Sequence, residues 1–187
     1  MEQRTFSYTR QAEMKGLRRA ILIGATLIGN EPLAIILADD YCVSANDSVL
    51  SQRVKLYEIH QCSIVAIEEV PEGETYRYGL IDGVIEEEGI YRISNMVEKP
   101  VPEDAPSNLA IIRRYIITPD IFDTIRNTPP SKNGEIQIAD VQLKLAKQGK
   151  VLGYKFKGKR FDCGSIDGYI NATNITYALE KTKEAAL

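Results

Sequence analysis

The sequence predicts an α/β fold, because helical and strand patterns alternate along the chain. Apolar residues recur at three- and four-residue steps over residues 17–28, which predicts an amphipathic helix that Gly29-Asn30 ends. The uninterrupted apolar run Leu33–Ala38 follows, and it is typical of a strand buried on both faces of a parallel sheet. A second helix is predicted within Asp47–His60 and a second strand at Cys62–Ile67.

The middle of the chain changes to short strands joined by tight turns. Asp82-Gly83 and Glu88-Gly89 are the predicted turns, because Asp-Gly favours the positive φ angles that hairpins require. Thr118-Pro119 predicts a helix start, with Thr as the N-cap and Pro in the first turn. No internal repeat or low-complexity linker interrupts the pattern, so one domain over residues 1–187 is expected. The remaining predicted elements are strands at Tyr76–Ile81, Val84–Glu87, Ile90–Val97, Leu109–Ile117 and Val151–Phe156, and helices at Pro119–Arg126, Ile136–Lys147 and about Asp167–Glu180.

Composition and charge exclude several classes of function. The 23 basic and 26 acidic side chains leave a net charge of −3, which argues against nucleic-acid binding through clustered Lys and Arg. No apolar run approaches the roughly 20 residues of a membrane span, and the first residues lack the apolar stretch of a secretory signal, so a cytoplasmic protein is expected. Three widely spaced cysteines predict reduced thiols, and His60, the single histidine, leaves too few imidazoles for a His-based zinc site. The chemistry is therefore expected to rely on carboxylates, lysine and a hard metal.

Two aspartates follow predicted strands and are candidate ligands for Mg²⁺. Asp39 ends the Leu33–Ala38 run, and Asp162 comes shortly after the Val151–Phe156 strand. Ligands of open α/β sheets bind at strand ends, and Mg²⁺ prefers oxygen donors of which the protein supplies one or two. The alternatives are that Asp39 caps the next segment or faces water, and that Asp162 forms a turn.

Three further positions suggest a sugar phosphate. Glu98 and Lys99 stand between a strand and a proline-rich loop; the carboxylate can accept hydroxyl hydrogen bonds and the ammonium can neutralise a phosphate. Gly79 would let a sugar approach the backbone. The alternatives are a solvated ion pair for Glu98 and Lys99, and a strand bulge at Gly79.

Gly16 begins a predicted helix, where free backbone N–H groups could meet an anion or a base edge. The alternative is that Gly16 is an ordinary helix start without a ligand.

Seven short motifs follow one another over about residues 5–180: Arg10-Gln11 with Lys15-Gly16-Leu17, then Glu31–Asp40, Tyr78-Gly79, Val97–Pro100, Ala105–Ala110, Gly134–Gln137 and Gly158–Gly164. In order and spacing they resemble the bacterial UTP–glucose-1-phosphate uridylyltransferase family. This resemblance implies a three-layer α/β/α, Rossmann-like nucleotidyltransferase fold with a mixed sheet.

The resemblance also implies a reaction, in which UTP and glucose 1-phosphate give UDP-glucose and pyrophosphate with Mg²⁺ as cofactor. Carried over by position, Asp39 and Asp162 would hold the metal. Glu98 and Gly79 would contact the glucose, and Lys99 would contact its phosphate. Gln11 and Gly16 would lie at the uracil.

The sequence also departs from the family. Members begin with a strand, a Gly-x-Gly-Thr-Arg loop and a lysine-bearing segment that cradle the UTP triphosphate, whereas this sequence resembles the last two-thirds and is N-terminally incomplete by comparison. Arg18-Arg19 stands where the family has Gly-His, and Ala12, Ala38 and Ala139 stand for Gly, Pro and Thr. A sheet without its first strands would leave an unpaired edge and uncovered apolar faces, so the chain is expected either to form a homo-oligomer or to be a portion of the working protein. Two alternative functions are a non-catalytic module that binds a sugar phosphate or nucleotide sugar, and a thymidylyltransferase.

Overall fold

A computed structural model describes residues 5–12, 16–129 and 138–184. The predicted loop 129–134, apart from Pro129, and the start of the predicted helix 136–147 lie outside the described residues, as does Lys15 beside Gly16. The helices are α1 (Gly16–Ile28), α2 (Val49–His60), α3 (Ile121–Arg126), α4 (Ile138–Ala146) and α5 (Ile166–Glu184). The strands are β1 (Leu33–Ile36), β2 (Asp40–Val43), β3 (Ser63–Glu69), β4 (Gly79–Glu87), β5 (Ile90–Glu98), β6 (Leu109–Ile117), β7 (Val151–Lys155) and β8 (Lys159–Asp162).

Within the part of the chain that the structure describes, six strands form the central sheet in the order β1-β6-β3-β7-β5-β4, with one further β4–β6 pairing. The sheet is mixed, as expected: β3 and β7 run parallel, and the other pairs are antiparallel. Among the described strands of this sheet, a short hairpin joins only β4 and β5; the other antiparallel pairs join strands distant in the chain, and the parallel β3–β7 pair requires a long crossover.

The sheet is covered by helices on both faces, which confirms the three-layer architecture. Alternate residues of β3 separate the two sides, because successive strand side chains point to opposite faces. Val65 and Ile67 belong to a core with apolar residues of α1, α3 and α4. Ile64 and Ala66 belong to smaller clusters with residues of α2, such as Leu50 and Val49.

The strand β1 differs from its prediction of burial inside a parallel sheet. It is an outer strand of the described sheet and pairs antiparallel with β6. Ile35 is buried, but Ile36 is 50% exposed. An apolar run indicates that a strand is buried against other elements, but it does not indicate how many strands pair with it or whether they run parallel. The prediction for β1 was wrong for this reason. The helix α5 also exposes large apolar residues, among them Ile166 and Tyr169. Among the described residues, no helix is long and apolar enough to span a membrane.

Two local predictions are also wrong. Asp82-Gly83 is not a turn but a bulge inside β4, and a Cβ on Gly83 would lie 2.5 Å from the Arg92 carbonyl oxygen. Glycine at position 83 therefore allows the two strands to approach closely. The chain reverses instead at Glu88-Gly89, where Gly89 has a φ of +77°. The helix α3 begins at Ile121 rather than Pro119, with Asp120 as its N-cap.

Candidate functional site

A cavity of about 320 Å³ lies where the ends of β4, β5 and β8 meet α4 and the middle of β6. Four of the predicted site residues share this cavity: Gly79, Glu98, Lys99 and Asp162. The remaining lining residues are Asp40, Arg77, Tyr78, Ile111, Arg113, Tyr115, Ile138, Ala139, Gln142 and Arg160. The lining therefore combines apolar side chains with carboxylates and cations.

Gly79 and Glu98 face each other across the β4–β5 pair. A Cβ on Gly79 would lie 2.8 Å from Glu98 Oε2, which is closer than real Cβ contacts. The pairing register is regular at this point, so the bulge interpretation of Gly79 is not what the strand shows. A larger residue at position 79 would push the Glu98 carboxylate out of its present place.

Lys99 follows β5 in an unusual backbone conformation. Its φ of +46° lies in the left-handed region, which costs a non-glycine residue free energy and is frequent at binding sites. Its backbone N–H donates to the Tyr78 carbonyl at 3.0 Å, which fixes the turn. Among the described residues neither Glu98 nor Lys99 has an ion-pair partner, so the predicted alternative of a pair between them is not formed. The Glu98 carboxylate and the Lys99 ammonium are thus available to a ligand.

Asp39 and Asp162 are brought together by a small sheet that the sequence did not predict. The strands β2 and β8 pair antiparallel with Asp40 opposite Asp162, and the Cys163 N–H donates to the Asp39 carbonyl at 2.7 Å. A Cβ on Gly164 would lie 3.1 Å from Asp162 Oδ1 and 3.9 Å from Asp39 Oδ2. The carboxylates of Asp39 and Asp162 therefore both lie near Gly164, although 122 residues stand between them in the chain.

A guanidinium group already occupies one of these carboxylates. Arg113 on β6 places Nη1 at 2.9 Å from Asp39 Oδ2 and Nε at 3.3 Å from Asp40 Oδ2. The side chains of Arg113 and Asp39 are 47% and 37% exposed, so solvent screens this pair. A cation that binds Asp39 would have to compete with Arg113.

A second, largely buried charge network begins at the cavity lining with Asp40 and Arg160. Arg160 contacts Asp40 Oδ1 at 2.7 Å and Glu68 Oε1 at 2.5 Å. The Asp40 side chain is 1% exposed and that of Arg160 is 9% exposed. Burial lowers the pKa of Arg160, but the hydrogen bonds and charges of Asp40 and Glu68 outweigh it, and the pKa stands above its ordinary value. Burial raises the pKa of Glu68, although the charge of Arg160 opposes this. This network fixes β2 and β8 to β3.

The carboxylate oxygens of Asp39 and Asp162 fit a hard cation that takes only one or two ligands from the protein. Among the described residues there is no group of three or more His, Cys, Asp or Glu side chains that could hold a metal ion. Mg²⁺ does not need such a cage, because it commonly takes one or two protein carboxylates and completes its shell with water and phosphate oxygens. Two converging carboxylates beside a cavity that carries Lys99 meet this requirement.

Gln11 and Gly16 lie together, but they do not line this cavity. The Gln11 side-chain amide donates to the Gly16 carbonyl at 3.2 Å, and Gly16 begins α1 with φ +71°. Arg18 does not project freely at this end of α1, because its guanidinium donates to the Ile125 and Thr128 carbonyls. The predicted base-contacting pair is therefore a separate surface feature of the described residues.

Several cavity residues were missed by the sequence analysis. Asp40, Arg113 and Arg160 belong to short polar segments whose partners are distant in the chain. The doubled Asp39-Asp40 at the end of an apolar run was a visible signal, and a second role for Asp40 could have been considered. Gln142 is buried, and its side-chain nitrogen has no hydrogen-bond partner among the described residues.

Comparisons with known proteins identify the family of the chain. The family model described as nucleotidyl transferase matches residues 2–178. A UTP–glucose-1-phosphate uridylyltransferase of Pseudomonas aeruginosa strain PAO1 is 61% identical over 187 residues, which cover 99% of this chain and 67% of that protein.

Two solved structures are similar to the fold. An apo UDP-glucose pyrophosphorylase superposes with a TM-score of 0.89 at 58% identity, covering 94% of this chain and 64% of that one. A UDP-glucose pyrophosphorylase complexed with UDP-glucose gives a TM-score of 0.86 at 59% identity, covering 92% and 66%. The chain spans about two thirds of the length of these relatives. It belongs to the nucleotidyl transferase family and, within that family, to the UTP–glucose-1-phosphate uridylyltransferases.

Proposed function

We propose that this chain carries the sugar-phosphate half of a uridylyltransferase site, in which UTP and glucose 1-phosphate give UDP-glucose and pyrophosphate. The observation that carries the proposal is the shared cavity of Gly79, Glu98, Lys99 and Asp162. A similar structure binds UDP-glucose, and the volume of this cavity lies within the range of small-ligand sites.

In the proposed reaction the residues position two polyanions. Lys99 neutralises the phosphate of the sugar, and Glu98 accepts hydrogen bonds from sugar hydroxyls, with Gly79 leaving the space for it. The phosphate oxygen attacks the α-phosphorus of UTP in line, the bond to the β-phosphate oxygen breaks, and pyrophosphate leaves. No general base is needed, because the attacking phosphate is already ionised; orientation and charge neutralisation supply the rate.

Mg²⁺ is the proposed cofactor, held by Asp39 and Asp162. When bound, such an ion neutralises the charge that develops on the phosphate oxygens. The chain's own contribution is the β2–β8 pairing and the adjacent Cys163 N–H to Asp39 carbonyl hydrogen bond, which support the proposal by bringing Asp39 close to Asp162. The ion would compete with Arg113, which contacts the Oδ2 atom of Asp39.

A second candidate function is a non-catalytic module that binds a sugar phosphate or a nucleotide sugar. The ion pair between Arg113 and Asp39 favours it, because it occupies a carboxylate that the catalytic proposal assigns to the metal. The two functions differ in turnover. Pyrophosphate release from UTP and glucose 1-phosphate with Mg²⁺ supports the transferase, whereas UDP-glucose binding without turnover supports the module. The same assay with dTTP tests thymidylyl transfer.

Asp162→Ala tests the site directly. Calorimetry with UDP-glucose and Mg²⁺ is expected to show loss of metal-dependent binding in this variant, because one of the two converging carboxylates is removed. Asp123→Ala is the matched control, since Asp123 is 78% exposed and pairs with Arg126 on α3 away from the cavity. Unchanged affinity in Asp162→Ala would remove this residue from the site.

Self-association and a cytoplasmic location are also part of the proposal. The outer strand β1 and the exposed apolar residues of α5 support a homo-oligomer, because an open apolar edge is a template for pairing. The thiols Cys42, Cys62 and Cys163 are free, which supports a reducing compartment.

A further inference from the structure

Gln142 is an unusual residue in the wall of the cavity. It lies on α4 with 2% of its surface exposed, and its Nε2 atom has no hydrogen-bond partner among the described residues. Buried polar groups are nearly always hydrogen-bonded, because an amide removed from water without a partner is unfavourable. A lone buried amide at a ligand cavity therefore requires an explanation.

Packing does not supply one. The neighbouring buried positions of α4 are apolar: Val141, Leu145 and Ala146. An aliphatic side chain at position 142 would fill the same helix face without any desolvated donor. Ile138 and Ala139, on the preceding turn, line the cavity together with Gln142. Gln142 therefore belongs to the wall that a ligand would touch, but its Nε2 atom is covered, so the amide has to turn to donate to a ligand.

The charges of the cavity indicate what kind of ligand would satisfy the amide. Glu98 offers hydrogen-bond acceptors only, whereas Gln142 Nε2 offers donors only, and the two come from different elements, β5 and α4. A hydroxyl group both donates and accepts, so a molecule with several hydroxyls can satisfy both residues. Ile111 and Ile138 supply apolar surface for the C–H faces of a sugar ring.

We propose that Gln142 is a specificity-determining residue that donates a side-chain amide hydrogen bond to a hydroxyl of the hexose phosphate in this cavity. The proposal rests on the proposed function, since it assumes that a hexose phosphate enters the cavity. It assigns the recognition of the hydroxyl pattern to Gln142 and Glu98 together, and the recognition of the phosphate to Lys99. An ordered water on Gln142 is the competing explanation.

The test is calorimetric binding of glucose 1-phosphate, its set of monodeoxy analogues and inorganic phosphate to the full chain with Mg²⁺. Gln142→Met keeps the length of the side chain and removes the amide. Gln148→Met is the matched control, because Gln148 is exposed in the turn after α4. We expect the wild-type chain to bind one monodeoxy analogue about three- to tenfold more weakly than glucose 1-phosphate, the range of one neutral hydrogen bond. We expect Gln142→Met to lose about the same factor for glucose 1-phosphate and to stop discriminating that analogue.

Two further readouts separate recognition from a structural role. Inorganic phosphate should bind the variant as it binds the wild type, and the melting temperature should stay level or rise, since an unpaired buried donor is removed. If Gln142→Met keeps the wild-type order of analogues, the amide holds only water and the inference fails, while the proposed function stands. If its affinity falls equally for every ligand and its melting temperature drops, the role is structural and the inference fails. If the wild-type chain binds no hexose phosphate, the proposed function fails as well.

Discussion

The buried pair between Asp40 and Arg160 allows a quantitative prediction about stability. Asp40→Asn keeps the shape of the side chain and removes its charge. Asp40 is 1% exposed and contacts Arg160 at 2.7 Å, so the guanidinium would lose its main buried counter-charge and keep Glu68 alone. Arg113, the other partner of Asp40, is 47% exposed and can turn to solvent.

The magnitude follows from burial rather than from distance. Removing one partner of a buried ion pair costs about 3–5 kcal/mol, because an uncompensated charge is left in the interior. The amide of Asn retains neutral hydrogen bonds, so we take about 3 kcal/mol. For a chain of this length each kcal/mol lowers the melting temperature by about 2–4 °C, which gives about 6–12 °C.

The assay is thermal and denaturant unfolding of Asp40→Asn beside Asp47→Asn. Asp47 pairs with Lys55 at 2.6 Å, but both side chains are at least half exposed. Exposed pairs contribute about 0–1 kcal/mol, so this control should differ little from the wild type. The reasoning would be refuted if Asp40→Asn unfolded within the range of the control, because burial would then not decide the strength of the pair.

Two further predictions concern pH and assembly. Burial raises the pKa of Glu68 above its unfolded value near 4.3, so its contribution to stability is present below that value and is lost as the pH rises through the folded pKa. Glu68→Gln removes this titration, so the unfolding free energy of the variant relative to the wild type should increase as the pH rises above about 4 in urea unfolding series, and a difference that stays constant with pH would contradict the stated cause. Ile36→Lys places a charge on the outer strand β1, where the side chain is 50% exposed, and should lower the assembled mass in sedimentation at little cost in stability. A monomeric wild-type chain would refute the proposed self-association.

Several elements were predictable from the sequence. The strands β3 and β6 lie close to their predicted bounds because each is a largely apolar run. The helices α2 and α5 also lie close to their predicted bounds. The bulge at Asp82-Gly83 was mistaken for a turn. A local dipeptide preference cannot report that Arg92 approaches the glycine from the next strand.

The candidate site was predictable in its members and not in its assembly. Motif resemblance selected Gly79, Glu98, Lys99 and Asp162, which share one cavity. It did not select Arg113, which competes for Asp39, because the contact joins β6 to the end of β1. Gln11 and Gly16 contact each other but stand apart from the cavity. Their assignment to a base remains a prediction.

The sequence by itself determined the fold class, the family and the chemical types available at the site, because these depend on local periodicity and on residues in a recognisable order. Only the tertiary structure decided which charges are neighbours. Asp39 meets Asp162 through two four-residue strands, and Arg160 is buried against Asp40 from the other end of the chain. Such pairings depend on long-range sheet register and on exclusion of water, and neither leaves a periodic trace in the sequence.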